Sequence, residues 1–424
     1  MTTSPRADVT LTGLLGDFRL LLILFVAFRL GLLMVYQPIL LDDGQERGLN
    51  AGGDRQYHYA LAELTDEGLW PFVDWWSEFP PVWYLLTTAV YQSQGEGVNY
   101  AGWSMMLGLI ILAFDAGNLI LMRRIGAHLY GDATGMALAW VYAVSLAPLV
   151  FIWWNFENIV AFFLLLGLWF LLRQQHVRAA GAIAIGALTK FTPALLFGAL
   201  LRYRPPRVVI QVVAVALAIF AGVYALLYVN NAANDGDPAM VTTSLTAQFG
   251  KASYQTVWAL IDGNYTTGNF GTVESHLDAA AANTLYGSPA VIPSFVRLAL
   301  AGAVGLFVFL RVRRFDDRGL VAFVGITVLI FFLQAQGWSP QWLVQIVPLI
   351  LLAFPTKNGI LITVVLTLLV FAEYPLLFIR TGDTGGVITG VLRAPFAVLI
   401  ISRTFILIGV CLALYQTLRQ EPIV

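Results

Sequence analysis

Charge is the scarcest commodity of this chain. Only 12% of its 424 residues are Asp, Glu, Lys or Arg, while 58% are hydrophobic, and the mean hydropathy is +0.76. A soluble domain carries about 25% charge, so the composition excludes one and implies a polytopic membrane protein. Alternating apolar and polar residues are missing too. The apolar runs are continuous, which excludes a β-barrel and leaves an all-α bundle. There is one cysteine, Cys411, so no intramolecular disulfide can form. The four histidines show no zinc-type spacing. A formal net charge of −1 argues against nucleic acid as a partner. No internal repeat is visible. The first residues lack a clean basic region because of Asp8 and Asp17, and the apolar run that follows is too long for a signal peptide. The expectation is a retained first span with a cytoplasmic N-terminus.

The few basic residues order the spans, because cytoplasmic loops carry the excess of Lys and Arg. Phe18 to Leu41 reads as the first span, with Arg29 near its middle. Pro80 to Tyr91 is apolar but short, and is expected to lie at the interface. If it crossed, Arg123 and Arg124, which end the Ala101–Met122 run, would fall outside. Ala133–Ile152 then runs outward and Ile159–Leu172 returns to Arg173 and Arg178. Gly181–Leu201 has basic residues on both flanks, Arg178 before it and Arg202, Arg204 and Arg207 after it. One span cannot have both ends on one side. Pro193, in Thr189-Lys-Phe-Thr-Pro193, breaks the helix, so the segment is expected to be a re-entrant pair of half-helices. Val208–Val229 goes out, and Pro289–Leu310 returns to Arg311, Arg313, Arg314 and Arg318. Leu320–Leu333, Leu343–Phe354, Ile360–Phe378 and Pro395–Tyr415 complete the chain. About 10–13 transmembrane or half-membrane helices are expected. They form a single domain over residues 1–424, with outer loops at 42–100 and 230–288. Antiparallel first and second spans bring Arg29 and Asp115 to similar depth, where a buried ion pair or a shared polar network is expected.

The acids are concentrated. Nine of the 25 Asp and Glu residues lie between residues 42 and 78 of the first outer loop: Asp42, Asp43, Glu46, Asp54, Glu63, Asp66, Glu67, Asp74 and Glu78. Aromatics alternate with them, from Tyr57 and Tyr59 through Trp70, Phe72, Trp75, Trp76 and Phe79 to Trp83. Carboxylates that bind hydroxyls beside indoles that stack on a pyranose suit a sugar site. The same residues suit an aromatic belt at the membrane interface.

Four short motifs stand in order: Gly53-Asp54 in the first loop, Phe79-Pro-Pro81 opening the interfacial helix, Thr189-Lys-Phe-Thr-Pro193 in the broken helix, and Ser339-Pro-Gln-Trp342 opening a late span. By these motifs the chain resembles the polyprenyl-phosphate-sugar-dependent glycosyltransferases of the GT-C fold. It is most similar to their α-mannosyltransferase branch, which includes phosphatidylinositol-mannoside mannosyltransferases. The resemblance implies a GT-C-like bundle that transfers a hexose, mannose by this likeness, from a polyprenyl-phosphate donor to a lipid- or glycan-linked acceptor. The reaction would sit at the outer face of the cell membrane, with membrane lipids as further partners. In that family an early first-loop aspartate is the catalytic base, a role that carries over to Asp54. The acceptor hydroxyl loses its proton to the base as it attacks the anomeric carbon. Lipid phosphate leaves from the opposite face, so inversion is implied. Phosphate is a good leaving group, and neither metal nor cofactor is expected to be required. Asp54 equally suits a helix N-cap.

The remaining candidates each have two readings. His58 lies one helical turn after Asp54, on the same face, and suits acceptor or phosphate binding. Glu78 suits sugar or acceptor hydroxyls, or a solvated loop. Arg380 and Arg393 are exceptions to the positive-inside pattern, which makes them candidates for the donor phosphate; Lys251 is a weaker one. Lys190 belongs to a family motif, yet a hairpin from the cytoplasmic side would bury it near mid-membrane, where it would satisfy carbonyls or a carboxylate. Trp338 and Gln341 sit at the outer rim, as sugar contacts or as belt. The surplus of acids leaves Asp42, Asp43 or Asp74 as alternative bases, or as metal ligands as in some GT-C relatives. Two rival functions remain. A transporter or flippase would place ionisable groups on broken helices within an internal repeat; Lys190 fits this, but the missing repeat does not. A polymerase or ligase of lipid-linked glycans shares the outer-face chemistry.

Overall fold

The computed structural model describes residues 10–41, 46–47, 53–95, 97–145, 156–268, 271–381 and 386–421. The chain is an all-α, integral multi-pass membrane protein. Among the described residues, seven helices are long and apolar enough to cross a membrane: Phe18–Val35, Tyr100–Tyr130, Pro206–Ala233, Ser294–Arg311, Asp317–Gln334, Lys357–Tyr374 and Gly390–Arg419. Glu157–Leu172, His176–Thr189 and Pro340–Ala353 are shorter apolar helices. The only strands among the described residues are the paired dipeptides Ile39–Leu40 and Glu46–Arg47. The outward leucines show what the helices face. Leu300, Leu306 and Leu310 are each more than half exposed, a cost in water but none against lipid tails.

Basic residues meet at one pole. Arg204 Nη2 donates to the Leu171 carbonyl at 2.6 Å, and the Tyr203 hydroxyl donates to the Arg314 carbonyl at 2.9 Å. Arg419 Nη1 reaches the Arg311 carbonyl at 3.2 Å. Arg318 reaches that of Leu129 at 3.3 Å, and Tyr130 that of Leu352 at 2.8 Å. The opposite pole therefore holds the start of Glu157–Leu172, the start of Ser294–Arg311 and the end of Asp317–Gln334.

The expected hairpin is present. The helix His176–Thr189 stops at Lys190, a 3-10 turn covers Thr192–Leu195, and the helix Leu196–Tyr203 runs back. Fourteen residues rise about 21 Å, which carries the tip from the level of Leu171 to that of Glu157. Gly186 permits the fold-back, since a Cβ there would lie 2.7 Å from the Pro193 Cβ. The sequence expectation places Lys190 near mid-membrane; a 14-residue leg of about 21 Å carries it past the centre of a ~30 Å core to the start of the Glu157–Leu172 helix, where it pairs with Glu157.

The Pro81–Gln92 helix has 12 residues, about 18 Å, too short to cross a ~30 Å core. The first-loop aromatics form neither belt nor open sugar platform for the most part. Phe72, Trp75, Trp83 and Tyr84 are almost wholly buried, in a second core with Trp103 and Phe156. Aromatics this dense pack on one another before they meet anything else. Arg29 Nε donates to Asp115 Oδ2 at 3.1 Å, and the Tyr142 hydroxyl donates to Asp115 Oδ1 at 2.6 Å, so the expected buried pair is formed.

Candidate functional site

A cavity of about 650 Å³ opens at the pole opposite the basic residues, within the about 300–1,000 Å³ usual for small-molecule sites. Asp54, His58, Glu78, Lys190 and Gln341 all line it. Five of the eight residues expected from sequence are thus brought together from four separate stretches of chain. Asp54 stands in the first turn of the helix Gly53–Glu63, inside the helix rather than at its N-cap. That corrects the capping reading and leaves the carboxylate half-buried on the cavity wall. His58 follows one turn later on the same face.

His58 is boxed by Trp83, Tyr84 and Phe156, with ring centroids 5.4, 5.5 and 6.5 Å away. Burial pushes its imidazole down to about 3, against the pull of the Glu78 carboxylate. It is therefore neutral at pH 7, suited to hydrogen bonding a hydroxyl and not to pairing with a phosphate. Its Nδ1 has no partner among the described residues. Glu78 is ion-paired with Lys251. Burial alone would raise its pKa, but Lys251, His276 and His58 outweigh it and hold the carboxyl below its ordinary value. Lys190 pairs with Glu157, whose second oxygen accepts from Gln345 Nε2. The Lys190 ammonium also lies 4.8 Å from the Trp342 ring centroid and 5.3 Å from that of Phe79. A buried cation held this way needs both a counter-charge and aromatic faces.

The long outer loop crosses the cavity and closes part of it. Gln248, Phe249 and Tyr254 line the wall. Tyr254 N donates to the Gln336 carbonyl and Trp338 N to that of Tyr254, both at 3.1 Å. A Cβ on Gly337 would lie 2.3 Å from the Tyr254 ring, so only glycine lets this strand-like pairing close. Farther along, Trp76 Nε1 donates to the carbonyls of Ser275 at 3.0 Å and Asp278 at 2.9 Å. His276 Nδ1 donates to the Trp76 carbonyl at 2.5 Å, and its Nε2 takes the Tyr57 hydroxyl.

Three expected residues lie elsewhere. Trp338 is buried behind Trp342, 5.7 Å from it, with the Arg403 guanidinium 4.2 Å above its ring; it does not line the cavity. Arg380 and Arg393 are exposed and also off the lining. Arg393 lies against the Tyr265 ring at 5.0 Å instead. A departure from the positive-inside pattern bears on depth and says nothing about lateral position. Asp74 is used up locally, accepting from Trp70 N at 2.7 Å, and is not on the lining. Asp42 and Asp43 lie outside the described residues.

Arg297 is the cation that sequence reasoning missed. It sits in the first turn of Ser294–Arg311, lines the cavity and is 3% exposed. Its Nε and Nη1 have no hydrogen-bond partner among the described residues. The signal was available: it is a lone arginine at the non-basic end of an apolar run. Beside it, Phe295 and Phe249 also line the cavity while 72% and 68% exposed, so the cavity opens sideways onto an apolar surface.

Among solved structures the chain has loose similarities, three of which follow. ArnT from Cupriavidus metallidurans in the apo state has a TM-score of 0.47 at 15% identity, covering 93% of this chain and 77% of that one. The Archaeoglobus fulgidus oligosaccharyltransferase in its apo form gives 0.43 at 12%, covering 95% and 56%. AglB from the same organism, in complex with an inhibitory peptide and a dolichol-phosphate, gives 0.37 at 12%, covering 94% and 55%. The chain thus spans little more than half the length of the last two. No curated protein matches by sequence. One family model does, over residues 79–335, which takes in Lys190 and Arg297 but begins after Asp54. That match covers more than half of the chain, which therefore belongs to Glycosyltransferase family 87.

Proposed function

We propose that this glycosyltransferase is a GT-C enzyme that moves a hexose, mannose by the motif resemblance, from a polyprenyl-phosphate donor to a hydroxyl on a lipid or glycan acceptor. The observation that carries the reading is the cavity itself. A half-buried carboxylate, Asp54, and the Arg297 guanidinium, which rests over the Trp258 ring with two nitrogens lacking a hydrogen-bond partner among the described residues, share one chamber whose side opens onto an exposed apolar surface. An isoprenoid phosphate is an apolar tail with an anionic head, and this mouth has an apolar rim with a cation just inside. Arg297 therefore takes the phosphate role expected of Arg380 and Arg393, aided by the positive N-terminal end of its own helix.

Asp54 acts as general base. It accepts the acceptor's hydroxyl proton while the oxygen attacks the anomeric carbon and the C1–O bond to phosphate breaks. The electron pair leaves with the phosphate, where Arg297 balances its charge. One displacement inverts the anomeric centre. Neutral His58, one turn away, orients the acceptor hydroxyl. The positive-inside rule supports an outer-face site, because the basic residues gather at the other pole.

The test uses membranes holding the full chain and radiolabelled polyprenyl-phosphate mannose. Wild type is expected to label a lipid or glycan product. Asp54→Asn is expected to slow transfer by at least about a hundredfold, the range of a lost general base. Full transfer by Asp54→Asn would overturn the base assignment.

A further inference from the structure

We infer that the hairpin tip together with the Pro340–Trp342 turn forms a sugar-hydroxyl subsite that selects a neutral, hydroxyl-rich sugar on the donor. The inference rests on the glycosyl-transfer reading above and adds the part of the cavity that reads the sugar. Two side chains carry it. Gln341 is 5% exposed and Thr192 is 1% exposed, and both line the cavity. Gln341 Oε1 and Thr192 Oγ1 have no hydrogen-bond partner among the described residues. Buried polar atoms in native proteins are nearly always paired. Two such oxygens on the wall of one chamber are shaped for donors brought in by a ligand, and sugar hydroxyls are such donors.

The charges at the tip are already closed on each other. Lys190 pairs with Glu157, and Gln345 satisfies the other Glu157 oxygen. A sugar carboxylate would have to draw Lys190 away and strand Glu157, which is 1% exposed, without its counter-charge, a costly exchange in a buried site. It could accept from the Thr192 hydroxyl, but it would offer no donor to the Gln341 amide oxygen. A neutral ring meets neither penalty. Trp342 lines the same wall and offers an indole face to the apolar side of a pyranose. Sites whose buried polar groups await a substrate hydroxyl discriminate strongly against analogues that lack it, so the tip is a specificity element rather than a general sugar contact.

The experiment titrates the purified full-length protein with four lipids and follows intrinsic tryptophan fluorescence alongside transfer rates. The lipids are sugar-free polyprenyl phosphate and its mannosyl, glucosyl and glucuronosyl forms. At least one neutral donor is expected to bind wild type about tenfold or more tighter than the sugar-free lipid, and the glucuronosyl lipid no tighter than the sugar-free one. Gln341→Met and Thr192→Val, which keep volume but remove the acceptors, are each expected to cut that increment at least about fivefold. Binding of the sugar-free lipid should stay as in wild type, which also shows the variants to be folded. Thr192→Ser should restore the increment. Equal affinity for sugar-bearing and sugar-free lipids in wild type overturns the subsite. So does a glucuronosyl lipid bound as tightly as the neutral ones, or a loss in the variants shared by all four lipids. An increment without transfer would sink the glycosyl-transfer reading and leave the subsite standing; transfer without an increment would do the reverse.

Discussion

Take the Asp115 charge away and Arg29 is stranded in the middle of the bundle. Arg29 is 1% exposed and Asp115 0%. The guanidinium has Asp115 Oδ2 at 3.1 Å, the Ala143 carbonyl at 3.3 Å and the Phe25 ring 3.5 Å away. Asp115→Asn keeps an oxygen for the Tyr142 hydroxyl, so its cost is that of one uncompensated buried cation, about 3–5 kcal/mol. Asp115→Leu also removes the acceptor for Tyr142 and adds about 1–3 kcal/mol. The double variant Arg29→Met/Asp115→Leu carries no buried charge and costs the Tyr142 hydroxyl its carboxylate acceptor and the Ala143 carbonyl its Arg29 donor, about 1–3 kcal/mol in total. Adding Tyr142→Phe removes that hydroxyl, and the triple variant should come within about 2 kcal/mol of wild type. Thermal unfolding in detergent ranks the series. The order from least to most stable should be Asp115→Leu, Asp115→Asn, the double, the triple. None of the three residues lines the cavity, so turnover per folded molecule should not change. Wild-type stability in Asp115→Asn, or a triple variant as weak as Asp115→Asn, would refute the reasoning. A lost turnover in a fully stable variant would move the pair into the chemistry.

Further predictions concern the cavity wall. Gly337→Ala places a Cβ 2.3 Å from the Tyr254 ring, so the ring must leave its position; KM should rise and stability fall by about 1–3 kcal/mol, and unchanged kinetics would count against the pairing. Arg297→Gln should weaken inhibition by sugar-free polyprenyl phosphate about tenfold or more, the scale of a charge-assisted contact to phosphate, while Arg380→Gln and Arg393→Gln leave it alone; the opposite pattern restores the sequence expectation. His58 makes stability depend on pH. Its folded pKa of about 3 lies below the unfolded value of about 6.5, so the unfolded chain binds the extra proton. Stability is full above about pH 6.5 and falls as pH drops below it, by about 2 kcal/mol at pH 5. His276, also lowered by burial, adds to the same limb. Melting curves at pH 7.5 and 5 should show a smaller loss for His58→Gln than for wild type, and equal losses would sink the claim.

Charge made much of this molecule legible from sequence, because charge is costly in lipid wherever it stands. Arginines on both sides of one apolar segment, with Pro193 inside it, left the hairpin as the physical solution, and Arg29 facing Asp115 at equal depth left the ion pair. The same rule speaks only along the membrane normal. It tells which face a residue occupies and not where on that face, which is why Arg380 and Arg393 were plausible phosphate ligands and yet stand off the cavity. Arg297 carried the same mark, a cation at the wrong end of a span, but was absorbed into an apolar run. The depth of Lys190 was misjudged because basic flanks locate the ends of a hairpin and not its reach. Reach is set by helix length, and the 14 residues of His176–Thr189 bring the lysine to Glu157. Trp338 and Trp342 show a limit of another kind. They are four residues apart, which on a continuous helix would put both on one face, but the 3-10 turn Pro340–Trp342 separates them and turns only the second toward the cavity. Which of the two tryptophans faces the cavity depends on that one turn, and no periodicity in the sequence marks it.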